Sequence, residues 1–166
     1  MSVLATILAD DSFKGGILLL GVLVAIVSVW SARVTARKKQ TVDALFAARS
    51  DDTLQEGMKC IVRIHDGTDS NLQSWAKKDK KDTPEAKSIR YVLNHWEYVS
   101  IGVQHGIFDE EMYRKASYTT ATSLYQKALP FMEMARREEG RPTIYQEFEW
   151  LAKRWLSKPL KGRAVK

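Results

Sequence analysis

Apolar residues fall into two regimes along this chain: a solid block near the N-terminus, and stripes at helical spacing after it. The block runs from Gly15 to Ala32, eighteen residues without a charge. At about 1.5 Å per helical residue it covers roughly 27 Å, close to the ~30 Å hydrocarbon core of a bilayer. Ile17 to Val29 holds only Ile, Leu, Val, Ala, Gly and Ser28. A helix there is apolar on every face, whereas a helix on the surface of a water-soluble domain keeps a polar stripe. The pattern predicts a transmembrane helix with its basic exit over residues 13–36. Ahead of it, Val3, Leu4, Ile7 and Leu8 recur at helical spacing before Asp10 and Asp11, which fits a short interfacial segment over 1–12.

Beyond the block no Gly or Pro intervenes before Gly57, so the helix is expected to run on through Val42, Leu45 and Phe46 towards Arg49. Ser50, Asp51 and Asp52 read as a stop and an N-cap, with Gln55 three positions after Asp52 as in a capping box. Leu54, Met58, Ile61, Val62 and His65 mark one face of a second helix, ended by Asp66-Gly67. Polar residues then dominate to Asp82, with a short helical piece expected near Leu72–Ala76 and docked by Trp75. Thr83-Pro84-Glu85 is a strong helix start: a capping hydroxyl, Pro in the first turn, and an acid at the positive end of the dipole.

Ile89, Val92, Leu93, Trp96, Val99 and Val103 give the helix that follows the clearest stripe in the chain, with Gly106 as its stop. Asp109-Glu110-Glu111 caps another helix through Tyr113, Ala116, Ala121, Leu124 and Tyr125, expected to end before Pro130. A short helix over Phe131–Glu139 and a last one opened by Pro142 or Thr143 complete the pattern, the last burying Tyr145, Phe148, Leu151, Ala152, Trp155 and Leu156. No segment of appreciable length alternates with period two. The expectation is an all-α protein: a single transmembrane helix, a helical bundle over 37–157, and a basic tail over 158–166.

Charge orients this arrangement. Arg33, Arg37, Lys38 and Lys39 follow the span directly, against Lys14, Asp10 and Asp11 before it. The positive-inside bias then puts the C-terminal domain in the cytoplasm and the N-terminus outside, with the Trp30 ring at headgroup level. A cleaved signal peptide is the competing reading, but the first thirteen residues carry no basic side chain, and bulky Trp30 stands two positions before the candidate cleavage point at Ala32. The net charge of +6 gathers partly in the tail, at Lys158, Lys161, Arg163 and Lys166. A polybasic segment beside an anionic leaflet gains about 1 kcal/mol per charge, and the aromatic residues sit at core spacing instead of among the basic ones. Lipid headgroups therefore explain the tail better than nucleic acid does. Within the span, Gly21, Ala25, Ser28 and Ala32 step by four, three and four along one side of the helix. Such a stripe lets helix backbones approach closely, and marks a face for self-association or for another membrane subunit.

Catalytic patterns are weak. The single Cys60 excludes an internal disulfide framework, suits a reducing compartment, and sits between apolar neighbours as an inert buried thiol would. His65, His95 and His105 stand at no recognised metal-ligand spacing, and no Gly-rich phosphate loop or nucleophile elbow occurs. Gly102 and Gly106 read as close-packing and capping positions. Glu97, Glu147 and Glu149 remain as acids, with Glu97 beside the buried stripe of its helix, where Arg90 or a residue of another helix would hold it. No catalytic residue, cofactor or metal is assigned, and a membrane-tethered enzyme is the weaker alternative.

Two blocks carry a resemblance: Leu93-Asn94-His95-Trp96-Glu97-Tyr98-Val99 leading into Ile101-Gly102-Val103, and Phe148-Glu149-Trp150-Leu151. In these the chain resembles the bacterial domain-of-unknown-function family 4760. That resemblance implies an N-terminal membrane helix, a basic exit, a helical cytoplasmic domain and occurrence in bacterial genomes, integrated phage and mobile elements. It implies no reaction and no catalytic residues. The expected function is a non-enzymatic accessory or interaction protein of the bacterial inner membrane. Its span would pack within a membrane complex or homo-oligomer, its flanks would touch lipid, and its domain would bind a cytoplasmic protein. A phage- or mobile-element-related exclusion or defence protein is the alternative.

Overall fold

Helices form where the stripes predict them along most of the chain. The computed structural model describes residues 11–67 and 71–162, and no strand occurs among them. The expected interfacial segment around Val3–Leu8 lies outside the described residues. Among the described residues five α-helices follow one another: α1 (Asp11–Ser50), α2 (Asp52–Asp66), α3 (Pro84–Gln104), α4 (Glu110–Glu139) and α5 (Gln146–Leu156), with short 3-10 helices at Leu72–Ala76 and Lys78–Lys80. By contact the chain divides into two units, Met1–Lys39 and Gln40–Lys166.

In the first unit, α1 is the one described helix long and apolar enough to cross a membrane, from Gly15 onward. Its apolar side chains from Ile17 to Val29 are exposed all round, Leu18 by 71 %.

In the second unit, α3 and α4 hold the core. Ile89, Val92, Leu93, Trp96, Val99 and Val103 are all buried, as their spacing predicts. Trp96 stacks on Phe148 of α5 with centroids 5.6 Å apart, and meets Tyr113 of α4 edge-on at 6.3 Å. Tyr125 meets Phe148 edge-on, with centroids 6.0 Å apart. The 3-10 helix at Leu72–Ala76 docks on α4 through buried Leu72 and Ala76. Trp75, the expected anchor, is only partly buried and lies under Lys80, whose Nζ is 4.7 Å from the ring centroid.

The caps explain the helix boundaries. Thr83 and Asp109 cap α3 and α4 as expected, accepting from Ala86 N and Met112 N. At α2 the cap is Asp51 instead of Asp52: its carboxylate accepts from Leu54 N at 2.9 Å, while Gln55 donates back to Ala48 O. No capping box forms there. The buried face of α2 is Leu54, Gly57, Cys60 and Ile61, whereas Val62 and His65 are exposed. Gly57 makes that shift possible, because a Cβ at this position would stand 2.9 Å from the Ser88 carbonyl oxygen of α3.

Two further expectations fail. Helix α4 does not end before Pro130 but continues to Glu139, with Pro130 exposed inside it. An interior Pro costs about 3 kcal/mol through a lost hydrogen bond and a ring clash. Continuing the helix keeps Phe131, Met132 and Ala135 wholly buried in register with Ala128. Each of the two large side chains is worth about 1.5–3 kcal/mol, so burial outweighs the Pro. Helix α5 begins at Gln146, later than Pro142 or Thr143, because Tyr145 adopts a left-handed conformation at φ 56°. Its ring is 6 % exposed, and Arg136 Nε holds the preceding Ile144 carbonyl at 2.9 Å.

Candidate functional site

The acids singled out by sequence each have a structural task. Both carboxylate oxygens of Glu97 face the start of α5, accepting from Phe148 N at 2.8 Å and Glu147 N at 3.3 Å. Tyr145 offers no side-chain cap of its own, so Glu97 caps α5 from across the bundle. Burial raises the Glu97 carboxyl above its ordinary value, and the two amide hydrogen bonds partly offset that rise. Arg90, the partner foreseen for it, instead pairs with Glu139 at 3.2 Å and lies over Phe131. Glu149 bridges Arg136 at 2.7 Å and Lys153. Its partial burial pushes the carboxyl up, but these two cations outweigh that and hold it below the usual range. Glu147 accepts from Gln104 and from Gln146.

Cys60 is buried, with Arg63 Nη2 3.7 Å from its Sγ. His65 is exposed beside Asp66, which also receives Lys127 Nζ at 2.6 Å. No group of three or more His, Cys, Asp or Glu placed to hold a metal occurs among the described residues. His95 is different. It is partly buried, edge-on to Trp96 at 5.7 Å, and burial lowers its imidazole below the ordinary 6.5 despite the opposing charge of Asp51. It stands neutral in a cavity wall.

That cavity, of about 470 Å³, lies between the end of α1, α2, α3 and α4. Leu54, Trp96 and Tyr113 line it and are 2 %, 3 % and 1 % exposed, which places them at its floor. Val42, Phe46, Arg49, Ala116 and Thr120 also line it and are exposed, forming its mouth. Leu45, Met58 and Met112 line it between these levels, and no Asp or Glu does. The Trp96 indole Nε1 is fully buried and finds no hydrogen-bond partner. A smaller cavity of about 270 Å³, bordered by Asp51, Tyr98 and Phe108, shares His95 and Tyr113 with the first. Sequence reasoning passed over this site: its lining residues read as ordinary core stripes.

The remaining foreseen residues do not converge on it. Gly21, Ala25, Ser28 and Ala32 are all exposed on α1, and a Cβ at Gly21 would meet nothing within 4 Å. Trp30, Arg33, Lys38 and Lys39 are exposed and Arg37 is partly buried. In the tail Lys158 and Lys161 are exposed, and Arg114 donates to the Lys158 carbonyl, so the tail begins attached to α4. Arg163 and Lys166 lie outside the described residues.

Among the described residues, fold and site together define an all-α protein with one helix long and apolar enough to span a bilayer and an acid-free cavity of about 470 Å³. The chain belongs to the family described as Domain of unknown function (DUF4760), which matches residues 16–155. No curated protein and no solved structure matches it.

Proposed function

We propose that this protein is a membrane-anchored, non-enzymatic interaction or accessory subunit of the bacterial inner membrane, with its helical domain in the cytoplasm. One observation carries the reading: the apolar side chains of Ile17–Val29 are exposed on every side of α1, with four basic residues directly after the block. Thirteen consecutive residues without a charge, all facing outward, fit a lipid environment and are costly in water. The basic exit supports an inward-facing domain. The engagement of Glu97 and Glu149 in capping and ion pairs, and the burial of Cys60, support a binding role over a catalytic one.

The small-residue stripe supports packing against another membrane helix. The test is to purify the protein in mild detergent with whatever accompanies it, then replace Gly21 and Ala25 by Leu. Helix contact through this face predicts that the assembly shrinks or loses subunits while the domain keeps its thermal transition. An assembly of unchanged size and composition would remove the packing face from the proposal.

A further inference from the structure

Every residue that lines the larger cavity falls within Gln40–Lys166, so the site belongs to the second unit alone. At about 470 Å³ it has the size of a small-molecule pocket. Its polarity is graded from floor to mouth. Leu54 at the floor, with Met58 and Met112 above it, gives an apolar wall, and the two Met side chains adapt to the shape of what they enclose. His95, half-buried in that wall, is kept neutral by burial, so an ionised group at that depth would find no counter-charge. At the mouth stands one full charge, the exposed guanidinium of Arg49. The last turn of α1 suits a cation there. Yet no Asp or Glu lines the cavity, and none of the described acids pairs with Arg49. Half-buried Ser117 and exposed Thr120 add hydroxyl groups on the α4 side of the lining.

This lining suits a ligand with two unlike ends. A guanidinium presents paired N–H donors that match the two oxygens of a carboxylate, and a single cation balances a single negative charge. An apolar body would displace water from the Met-lined wall, a gain of about 25 cal/mol per Å² buried. We propose that this cavity binds a small carboxylic acid with an apolar body, its carboxylate paired with Arg49 at the mouth and its body inside against Leu54, Met58 and Met112. A phosphate monoester, carrying close to two charges, would be left half-balanced by one Arg. The assignment goes beyond the anchored interaction protein described above and rests on no residue before Val42.

The experiment uses the full chain in phosphatidylcholine nanodiscs, with isotope-labelled methionine methyl groups observed by NMR during titration with naphthoate. Dissociation constants are referred to the free probe. The same titration in buffer serves a chain that stays soluble without lipid, so the outcome does not depend on the membrane reading. Met58 and Met112 should shift saturably, while Met132, wholly buried outside the cavity lining, stays still. Naphthalenemethanol, the same body without the charge, should bind roughly fivefold more weakly, as one exposed ion pair allows. Arg49→Gln should erase that preference with little effect on the alcohol, and Arg49→Lys should keep most of it. Ala116→Phe, an exposed change at the mouth, should weaken both probes severalfold. Equal affinity for acid and alcohol in the unaltered protein would overturn the proposal, as would a preference that outlives Arg49→Gln. So would Met58 and Met112 signals that fail to move, affinities indifferent to Ala116→Phe, or naphthyl phosphate binding tighter than naphthoate.

Discussion

At the scale of single residues, His95 is the side chain whose environment has the clearest solution consequence. Burial holds its imidazole below the ordinary 6.5, with Asp51 pulling the other way. As pH falls, the unfolded chain takes up this proton before the folded one does. The stabilising difference is thus fully present above pH 6.5 and drains as pH drops through the folded value. Urea unfolding at steps between pH 7.5 and 5.5 should show stability declining in the original protein, and declining less in His95→Gln. Parallel declines would mean that His95 titrates normally. The sequence marked His95 only as a structural histidine beside a well-populated stripe. Ala48 and Tyr113, which border the same two cavities from α1 and α4, are remote from it in the chain.

Elements were legible where their signals are local. The Thr83-Pro84 start, the Asp109 cap and the stripe from Ile89 to Val103 all stand where spacing put them. Pro130 misled because an interior Pro is a local penalty, while the burial of Phe131 and Met132 that overrides it is set by the whole bundle. The cap of α5 was illegible for the same reason: Glu97 and Phe148 lie 51 positions apart. That cap supports a direct measurement. Glu97→Ala strips two amide groups of their acceptor and should cost about 1–2 kcal/mol, in the range of lost N-caps. Glu97→Gln, which keeps one acceptor oxygen, should cost less. Equal losses in thermal unfolding would show that packing of the side chain, and not capping, is what matters.

For the molecule as a whole, the all-α class and the apolar block of α1 followed from periodicity alone, because both are properties of spacing and length. The cavity did not follow. A void is set by what four elements leave unfilled, and no residue type announces it. The foreseen packing residues on α1 are exposed, as are Trp30, Arg33, Lys38 and Lys39, while Arg37 is partly buried; exposure alone names no partner. The paired cations and acids of the second unit act as struts between helices: Arg154 grips Glu110 through two hydrogen bonds at 2.8 and 3.1 Å, joining the end of α5 to the start of α4. That bond is the main cause that holds the Glu110 carboxyl below its usual range.

The borrowed cap has a kinetic consequence. At eleven residues, with no side chain of its own to close its first turn, α5 is too short to persist as an isolated helix in water. Its nucleus exists only after α3 has folded and been brought to it across the intervening chain, so α5 should form after the transition state. Leu151, wholly buried on α5, then acts on one rate alone. Leu151→Ala should speed unfolding while leaving the refolding rate nearly unchanged, and α5 amides should exchange hydrogen before those of α3 and α4. A refolding rate that falls with the lost stability would place α5 in the folding nucleus. In the expected order, the last helix to arrive is also the first to leave, and its departure strips Phe148 from the face of Trp96.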